Sequence, residues 1–488
     1  MLLHEILVDA AREVPERTAL IVPGHASWTF AELAAHARAL AATVAARTSP
    51  GARVGILAFN RAEYVAAYYG VPWAGRVLVP LNPRLHPREW ADQLARSGAE
   101  LLFGDADLLD RLGRPEVPTL DLDTVASMPA RAFAPAADES ALTWLLFTSG
   151  TTGRPKGVRL THRSLTAAMR ASLACRPVGA DTVVLTPFPL AHVAGYQVGA
   201  HHLARRPVVV LRRYEPAELA AVVREFEVTN LSLAPTMIDA LLDHVREGDG
   251  LRERIRSISY GASPITPDLI RRVDELLGCG LDQGYGMTEL SGNAVFLAAA
   301  DHRPELYAAA GRPGPGVEIR IVDDAGRPVP TGDTGEISVR SEQVADGYWQ
   351  LDTGEFADGW FRTGDLGRLD ADGYVYVLDR KKDVIITGGE NVSAREVEAV
   401  LREHPDVRDV AVVGEPDTRW GERVVAVVVA APGASVAPDA LVTLCRSRLA
   451  GFKVPRRVLF TDALPVTGTG KISKPALREQ VAEGSLRA

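Results

Sequence analysis

Apolar positions along the first 300 residues follow two rhythms in turn. Residues 53–57, 77–81, 142–147 and 183–185 are short apolar runs, which predict buried strands. Residues 31–46 and 61–74 carry apolar side chains at helical spacing, and Thr161 is placed to N-cap a third helix running to about Cys175. Strands separated by helices imply parallel sheet with helical crossovers. The predicted class is therefore α/β, with a large N-terminal domain of mixed, largely parallel sheets. Residues 129–140, rich in alanine and proline, predict a long surface loop, and no internal repeat or low-complexity segment interrupts the pattern.

From about Val317 the texture changes. Residues 317–322, 335–340 and 373–378 alternate apolar and polar side chains between Gly, Pro and Asp turns, as antiparallel strands do. They predict a small β-rich subdomain over about 317–379. Asp379-Arg-Lys-Lys-Asp383 then marks a junction. Beyond it lie a predicted helix at 393–403, strands at 407–413 and 423–430, and a helix at 438–450. The expected organisation is an N-terminal domain 1–379, a hinge 380–383 and a mobile α+β C-terminal domain 384–488, a normal size for an independent unit.

Charge and composition narrow the partners. A net charge of −8 supplies no basic field, which argues against nucleic acid. Cys175, Cys279 and Cys445 lie far apart, with neither metal-ligand nor disulfide spacing. The longest apolar run, 424–431, is too short to cross a bilayer, and the first 20 residues carry charges throughout. A cytoplasmic protein without a stable membrane span is expected, its oligomeric state open.

The densest chemistry is Thr148-Ser-Gly-Thr-Thr-Gly-Arg-Pro-Lys-Gly157, directly after a predicted strand. Glycines let backbone N–H groups approach oxygens, hydroxyls add donors and Lys156 adds a mobile cation, so the loop suits a phosphate or carboxylate. A solvated turn is the plainer alternative. The loop is not the ordinary P-loop, because Gly157 follows the lysine where a Mg²⁺-binding hydroxyl is needed. Gly470-Lys471 fails likewise, with Ile472 next and Pro465 at the first glycine position. Only six lysines occur, Lys156, Lys381, Lys382, Lys453, Lys471 and Lys474, against 48 arginines. That bias suggests that lysine is kept where a compact, flexible ammonium is needed.

Further landmarks run the length of the chain: Trp28-Thr-Phe-Ala-Glu-Leu33, Val79-Pro-Leu-Asn-Pro83, Pro189-Leu-Ala-His-Val193, Gln283-Gly-Tyr-Gly-Met-Thr-Glu289, Trp360-Phe-Arg-Thr-Gly-Asp365, Gly388-Gly-Glu-Asn391 and Thr469-Gly-Lys-Ile-Ser-Lys474. With the 148–157 loop and the 379–383 junction, in this order, they resemble the adenylate-forming (AMP-binding) superfamily. That group comprises acyl-CoA synthetases, nonribosomal adenylation domains and beetle luciferases, and the resemblance is to the fatty- or aryl-acid CoA ligase branch. It implies an enzyme that joins a carboxylic acid to the α-phosphate of ATP, releasing pyrophosphate, and then transfers the acyl group to CoA. ATP, Mg²⁺ and CoA are the implied cofactors. The alternative is loading of a carrier protein or another nucleophile.

The resemblance also implies roles. Thr148, Ser149, Gly150, Thr151, Thr152 and Lys156 would hold the β- and γ-phosphates. Thr288 would touch the α-phosphate and Glu289 would bind Mg²⁺. Tyr285, within Gly284-Tyr285-Gly286-Met287, would stack on adenine, with Gly261, Ala262 and Ser263 on its other side. Asp365 would accept from the ribose hydroxyls with Arg380 beside it, and Lys471 would reach the α-phosphate and the carboxylate together. His192 would border the acid pocket, Lys382 would be the hinge, and Gly388 and Gly389 would line a tunnel for the thiol. Taken singly, Asp365 reads equally as a turn residue, Glu289 as a solvated carboxylate, Tyr285 as a core aromatic and Lys471 as a loop cation.

A nucleotide-binding paralogue without activity would have lost Lys156, Glu289, Asp365 or Lys471, and all four are present. Residues 188–197 hold no aspartate of the kind adenylation domains use for an amino acid's ammonium. The segments expected to wall the acid, 188–196, 232–236, 260–264 and 284–293, are mostly small and apolar and contain no arginine. Gly284 stands where malonate-activating relatives tend to carry one. A monocarboxylic acid with an apolar tail or aromatic ring is expected, with medium-chain fatty and aryl acids both open.

Overall fold

The computed structural model describes residues 1–113, 115–125, 132–136, 138–148, 155–261, 265–387, 390–418, 420–434, 436–467 and 471–487. The chain divides into two compact units. One comprises Met1–Ile319, Val339–Phe361 and Asp372–Val375; the other comprises Arg320–Ser338, Arg362–Ala371 and Tyr376–Ala488.

Two sheets build the first unit. A six-stranded sheet runs Thr119–Asp121, Ala99–Gly104, Arg53–Leu57, Val77–Leu81, Leu142–Thr148 and Lys156–Thr161, all neighbours parallel except the last pair. A nine-stranded sheet runs Arg312–Pro313, Gly292–Leu297, Gly280–Met287, Ser257–Gly261, Asn230–Leu233, Val184–Thr186, Val208–Val210, Thr18–Val22 and Ala26–Thr29. Its middle strands are parallel, as the alternating strand and helix rhythms predict. The helix Ala62–Trp73 is buried almost all round, which is what a helix without a polar stripe requires. Its Tyr64, Val65 and Tyr68 share one core with Leu20 and Val22 of the larger sheet and Val54, Ile56 and Trp144 of the smaller.

Local signals fix the ends. Thr161 caps the helix His162–Cys175 by accepting from Ser164 N at 3.1 Å, while Ser164 Oγ accepts from Thr161 N. Thr29 does the same for Phe30–Ala45. Of the predicted loop 129–140, residues 129–131 and 137 lie outside the described residues, and the rest holds neither strand nor helix.

The chain from 317 to 380 forms the small five-stranded β subdomain, with strands Val317–Val322, Gly335–Ser341, Phe356–Ala357, Trp360–Leu369 and Val375–Arg380. The C-terminal part is α+β. Long antiparallel strands Val407–Asp417 and Gly421–Ala430 are joined in parallel by Arg457–Phe460, and Ala394–Arg402 packs its Val397 and Leu401 on one face. On the other face Leu477 and Val481 of Lys474–Glu483 pack on Val413, Val425 and Val427. Valine alternation on both long strands supplies two apolar faces, so each needs its own cover of helix. Among the described residues, no helix is long and apolar enough to cross a membrane.

Candidate active site

In the first unit, Thr148 ends one strand and Lys156 opens its antiparallel neighbour, opposite each other in register. Ser149, Gly150, Thr151 and Thr152 join them but lie outside the described residues. Lys156 is 8% exposed, an unusual depth for a lysine, and two groups hold it. Its Nζ lies 2.9 Å from Glu355 Oε1 and 4.6 Å from the ring centre of Tyr348. The Tyr348 hydroxyl in turn donates to Glu289 Oε1 at 3.1 Å. The segment carrying Tyr348 and Glu355 is tied to the lysine strand by Trp349 N to Gly157 O at 2.7 Å and Arg159 N to Gly347 O at 3.0 Å. Backbone hydrogen bonding thus brings Lys156 and Glu289, expected from sequence, onto one line with a tyrosine that was not. Neither Tyr348 nor Glu355 follows from the motifs; the aromatic pair Tyr348-Trp349 after the left-handed Gly347 is the only local signal.

Thr288 and Glu289 form a 3-10 turn at the end of Gly280–Met287, whose Tyr285 side is half-buried. Gly261 pairs with Gly284, and a Cβ on Gly261 would lie 2.5 Å from the Gly284 carbonyl oxygen, so glycine is required there. Ala262 and Ser263 lie outside the described residues. Half-buried His192 precedes the turn Val193–Gly195. The segment leading to it is pinned by Asn60, which donates to Phe188 O at 2.9 Å and accepts from Leu190 N at 2.7 Å.

A cavity of about 250 Å³ opens between four parallel strands, Val184–Thr186, Asn230–Leu233, Ser257–Gly261 and Gly280–Met287, and the helices His162–Cys175 and Tyr196–Leu203. Of the segments expected to wall the acid, it takes in only Ser232. Arg176, the C-cap residue of the first helix, lines it, and its Nη2 lies 2.7 Å from where a Gly284 Cβ would stand. In sequence this residue reads only as a cation at a helix C-terminus, and the fold brings it to a strand 106 residues onward.

In the second unit, Asp365 follows a left-handed Gly364 within Trp360–Leu369. Its carboxylate is 3% exposed and faces Arg380, Nε to Oδ1 2.6 Å. Glu336 organises the turn: it accepts from Gly364 N at 3.1 Å and pairs with Arg362 and Lys381. The structure therefore joins Asp365 to Arg380. Asp379, 1% exposed, accepts from Arg380 N at 2.7 Å and Ser393 Oγ at 2.8 Å, fastening the junction to the start of Ala394–Arg402. The Lys382 side chain, Gly388 and Gly389 lie outside the described residues. Lys471 is exposed at the return of a turn, its carbonyl accepting from Thr467 N at 2.7 Å; the tip, 468–470, lies outside the described residues. Three residues on, Lys474 opens the helix Lys474–Glu483 and pairs with buried Glu398 at 2.9 Å.

Among the described residues, no group of three His, Cys, Asp or Glu side chains forms a metal cage. Mg²⁺ in nucleotide sites takes one or two carboxylates and completes its shell with phosphate oxygens and water. Glu289, a hard oxygen donor on the line from Lys156, fits that requirement.

Residues 7–349 match the AMP-binding enzyme family, and residues 396–471 match the AMP-binding enzyme C-terminal domain. A feruloyl-CoA synthase of Amycolatopsis is 38% identical over 485 residues, covering 97% of this chain and 98% of that one. The fatty acid–[acyl-carrier-protein] ligase ScoC of Streptomyces coeruleorubidus is 35% identical over 98% of this chain and 96% of its own. The o-succinylbenzoate CoA synthetase of Bacillus subtilis, solved with its acyl-adenylate intermediate, superimposes with a TM-score of 0.89 at 33% identity, covering 98% of this chain and 97% of that one. Its complex with ATP and magnesium gives a TM-score of 0.88 at 32% identity, covering 98% and 99%.

Proposed function

The chain belongs to the AMP-binding enzyme family, and from that premise we propose which of its residues carry each step. Its activity is ATP-dependent formation of an acyl-adenylate followed by transfer of the acyl group, and it is an acid–thiol ligase. ATP, Mg²⁺, CoA and a carboxylic acid are its reactants and cofactors. The observation that supports our assignment is the line Lys156–Tyr348–Glu289 beside Thr148, a cation and a carboxylate spaced by an aromatic ring.

In the first half-reaction a carboxylate oxygen attacks the α-phosphorus, the bond to the bridging oxygen breaks and pyrophosphate leaves. Catalysis is positioning plus stabilisation of charge on phosphate oxygens. Lys156 neutralises the β- and γ-phosphates, with hydroxyl and N–H donors from Thr148, Ser149, Gly150, Thr151 and Thr152. Thr288 donates to the α-phosphate. Glu289 would hold Mg²⁺, which would supply positive charge to offset that of the phosphates. Tyr285 and Gly261-Ala262-Ser263 enclose adenine, and Asp365 accepts from both ribose hydroxyls beside Arg380. Lys471 would offset the charge of the two anions that must meet, the acid carboxylate and the α-phosphate. His192 borders the acid.

In the second half-reaction the thiol sulfur attacks the acyl carbonyl and AMP leaves. Gly388 and Gly389 give the thiol's arm room because they lack side chains, and Lys382 is the hinge between the two states. We place the domains at 1–379 and 384–488 about the hinge 380–383, a division that rests on the change of texture there. A cytoplasmic location is supported by the pools of ATP and CoA on which the reaction draws.

The test is product analysis with a panel of acids, with and without CoA. AMP and pyrophosphate are expected, with thioester only when CoA is present. ADP and orthophosphate would refute the assignment, and thioester formed only on a carrier protein would move the acceptor.

A further inference from the structure

Small polar side chains from three neighbouring strands share one face. Along Asn230–Leu233, Asn230 and Ser232 alternate with the core residues Leu231 and Leu233. Along Ser257–Gly261, Ser257 and Ser259 alternate with buried Ile258 and Tyr260. Register sets Ser232 beside Ser259 and Ser259 beside Asp282, so one cross-strand row is polar throughout. A sheet face turned to a packed interior is normally apolar; this face lines the 250 Å³ cavity instead. At about 30 Å³ per water, that volume suits a group of on the order of ten heavy atoms.

Half-buried Arg176 has few partners there. Its Nη2 donates to the Asp282 carbonyl at 3.1 Å and its guanidinium lies 5.2 Å from the Phe296 ring centre, while Nε has no partner. No carboxylate among the described residues lies within ion-pair distance of it. A guanidinium offers five N–H donors and stays charged at any accessible pH, so one whose buried Nε–H is idle calls for an oxygen acceptor. Burial lowers its pKa, opposed by nearby Tyr196 and Asp282.

The remaining walls indicate which acceptor. Asp282 takes the Ala299 N–H at 3.1 Å, and burial raises its carboxyl pKa against the pull of Arg176. His201 has its Nδ1 2.8 Å from the Gln197 carbonyl, and burial depresses it to about 4. The ring is therefore neutral near pH 7, with Nδ1–H donating and Nε2 left as an acceptor. Arg256, the other cation in the lining, is already paired with Asp181 at 2.7 Å, so the two acceptors face one cation without an ion pair, which disfavours a second carboxylate. A hydroxyl satisfies both, accepting from the guanidinium while donating its own hydrogen. Asp282 is about 7 Å from Gly284 along the strand, at 3.3 Å per residue, a span matched by one aromatic ring.

We propose that this cavity is the far end of the acid pocket and that Arg176, with His201 and Asp282, selects carboxylic acids bearing a hydroxyl at the end remote from the carboxylate. This rests on the adenylate-forming assignment above. The test is pyrophosphate release by the full-length protein with CoA. The acids are 3-phenylpropenoic acid bearing hydroxyl, hydrogen or carboxylate at the para position, and octanoic acid with the same three groups at its terminus. The hydroxyl acid of at least one skeleton should exceed its hydrogen analogue by roughly 10- to 100-fold in kcat/KM, the worth of a hydrogen bond to a charged group. Arg176→Met should bring it down to the analogue by raising KM for the acid, with KM for ATP unchanged. Because the comparison of acids on the unaltered protein needs no variant, misfolding of Arg176→Met leaves the test standing. Equal rates for hydroxyl and hydrogen acids, or preference for the carboxylate, overturn the proposal. Absence of pyrophosphate with all six acids overturns the adenylation assignment as well.

Discussion

Glu355 holds Lys156 at 2.9 Å while the Tyr348 ring lies 4.6 Å from the same ammonium. The cation assigned to the ATP phosphates thus already has a carboxylate partner, itself about a third exposed. Phosphate and Glu355 compete for one group, so removing the carboxylate's charge favours the nucleotide. Glu355→Gln is expected to lower KM for ATP by a few-fold, on the order of 1 kcal/mol, with kcat little changed. Steady-state kinetics at saturating acid measures this; a raised KM would show that Glu355 positions Lys156 instead.

Asp365 and Arg380 give a second prediction. The carboxylate is buried in a turn held by Gly364 and Glu336, so its direction is fixed before nucleotide binds. Asp365→Asn keeps the shape and loses the charge-assisted acceptors for the ribose hydroxyls. KM for ATP should rise roughly 10- to 100-fold, with KM for the acid unaffected. A matching rise with 2′,3′-dideoxy-ATP, which has no ribose hydroxyls to lose, would place the role elsewhere.

Much of this was legible in the sequence wherever the signal is local. Thr161 announces its cap, the 53–57 and 77–81 runs become strands at those positions, and the valine alternation of 407–430 becomes the long antiparallel pair. What escaped are partners distant in the chain. Glu355 is 199 residues from Lys156, and Arg176 is 106 from Asp282, so no spacing rule reaches them. The scarcity of lysine was a weaker guide than it promised. Lys381, Lys453 and Lys474 pair with Asp324, Glu396 and Glu398, a structural use that arginine shares.

Lys474 nevertheless bears on catalysis through Lys471. It opens the helix Lys474–Glu483, and its ammonium is buried against Glu398, which also accepts from Val412 N at 2.9 Å. This pair anchors the turn that carries Lys471. Lys474→Met leaves the buried Glu398 carboxylate with only the more distant Arg402, at 3.9 Å, as a cation and should cost about 3 kcal/mol in the stability of the C-terminal part, read by thermal unfolding. Adenylation should weaken in step. Lys471→Ala, on an exposed turn, should instead leave stability unchanged and nearly abolish adenylation, while thiolysis of supplied acyl-adenylate persists. Loss of both half-reactions in Lys471→Ala would contradict its assigned role.

His202 contributes to the response to acid, together with His4, His162 and His201. It is fully buried, with Nδ1 2.7 Å from the Tyr69 hydroxyl and Nε2 2.9 Å from the Ala19 carbonyl. The neutral ring satisfies both by donating from Nε2 and accepting at Nδ1. Burial depresses its pKa to about 4, and also lowers that of His4 to about 4 and that of His162 to about 3. A histidine depressed in the folded state binds its proton more tightly once unfolded. Its contribution to stability is therefore complete above the unfolded value near 6.5 and is lost as pH falls toward 4. For His202 the loss is on the order of 3 kcal/mol across that window. Denaturant unfolding at pH 7.5, 6, 5 and 4.5 should show stability falling with a slope that His202→Gln reduces by about one proton. An unchanged slope in that variant would mean that His202 is protonated in the native protein and that the hydrogen bond to Tyr69 is made differently.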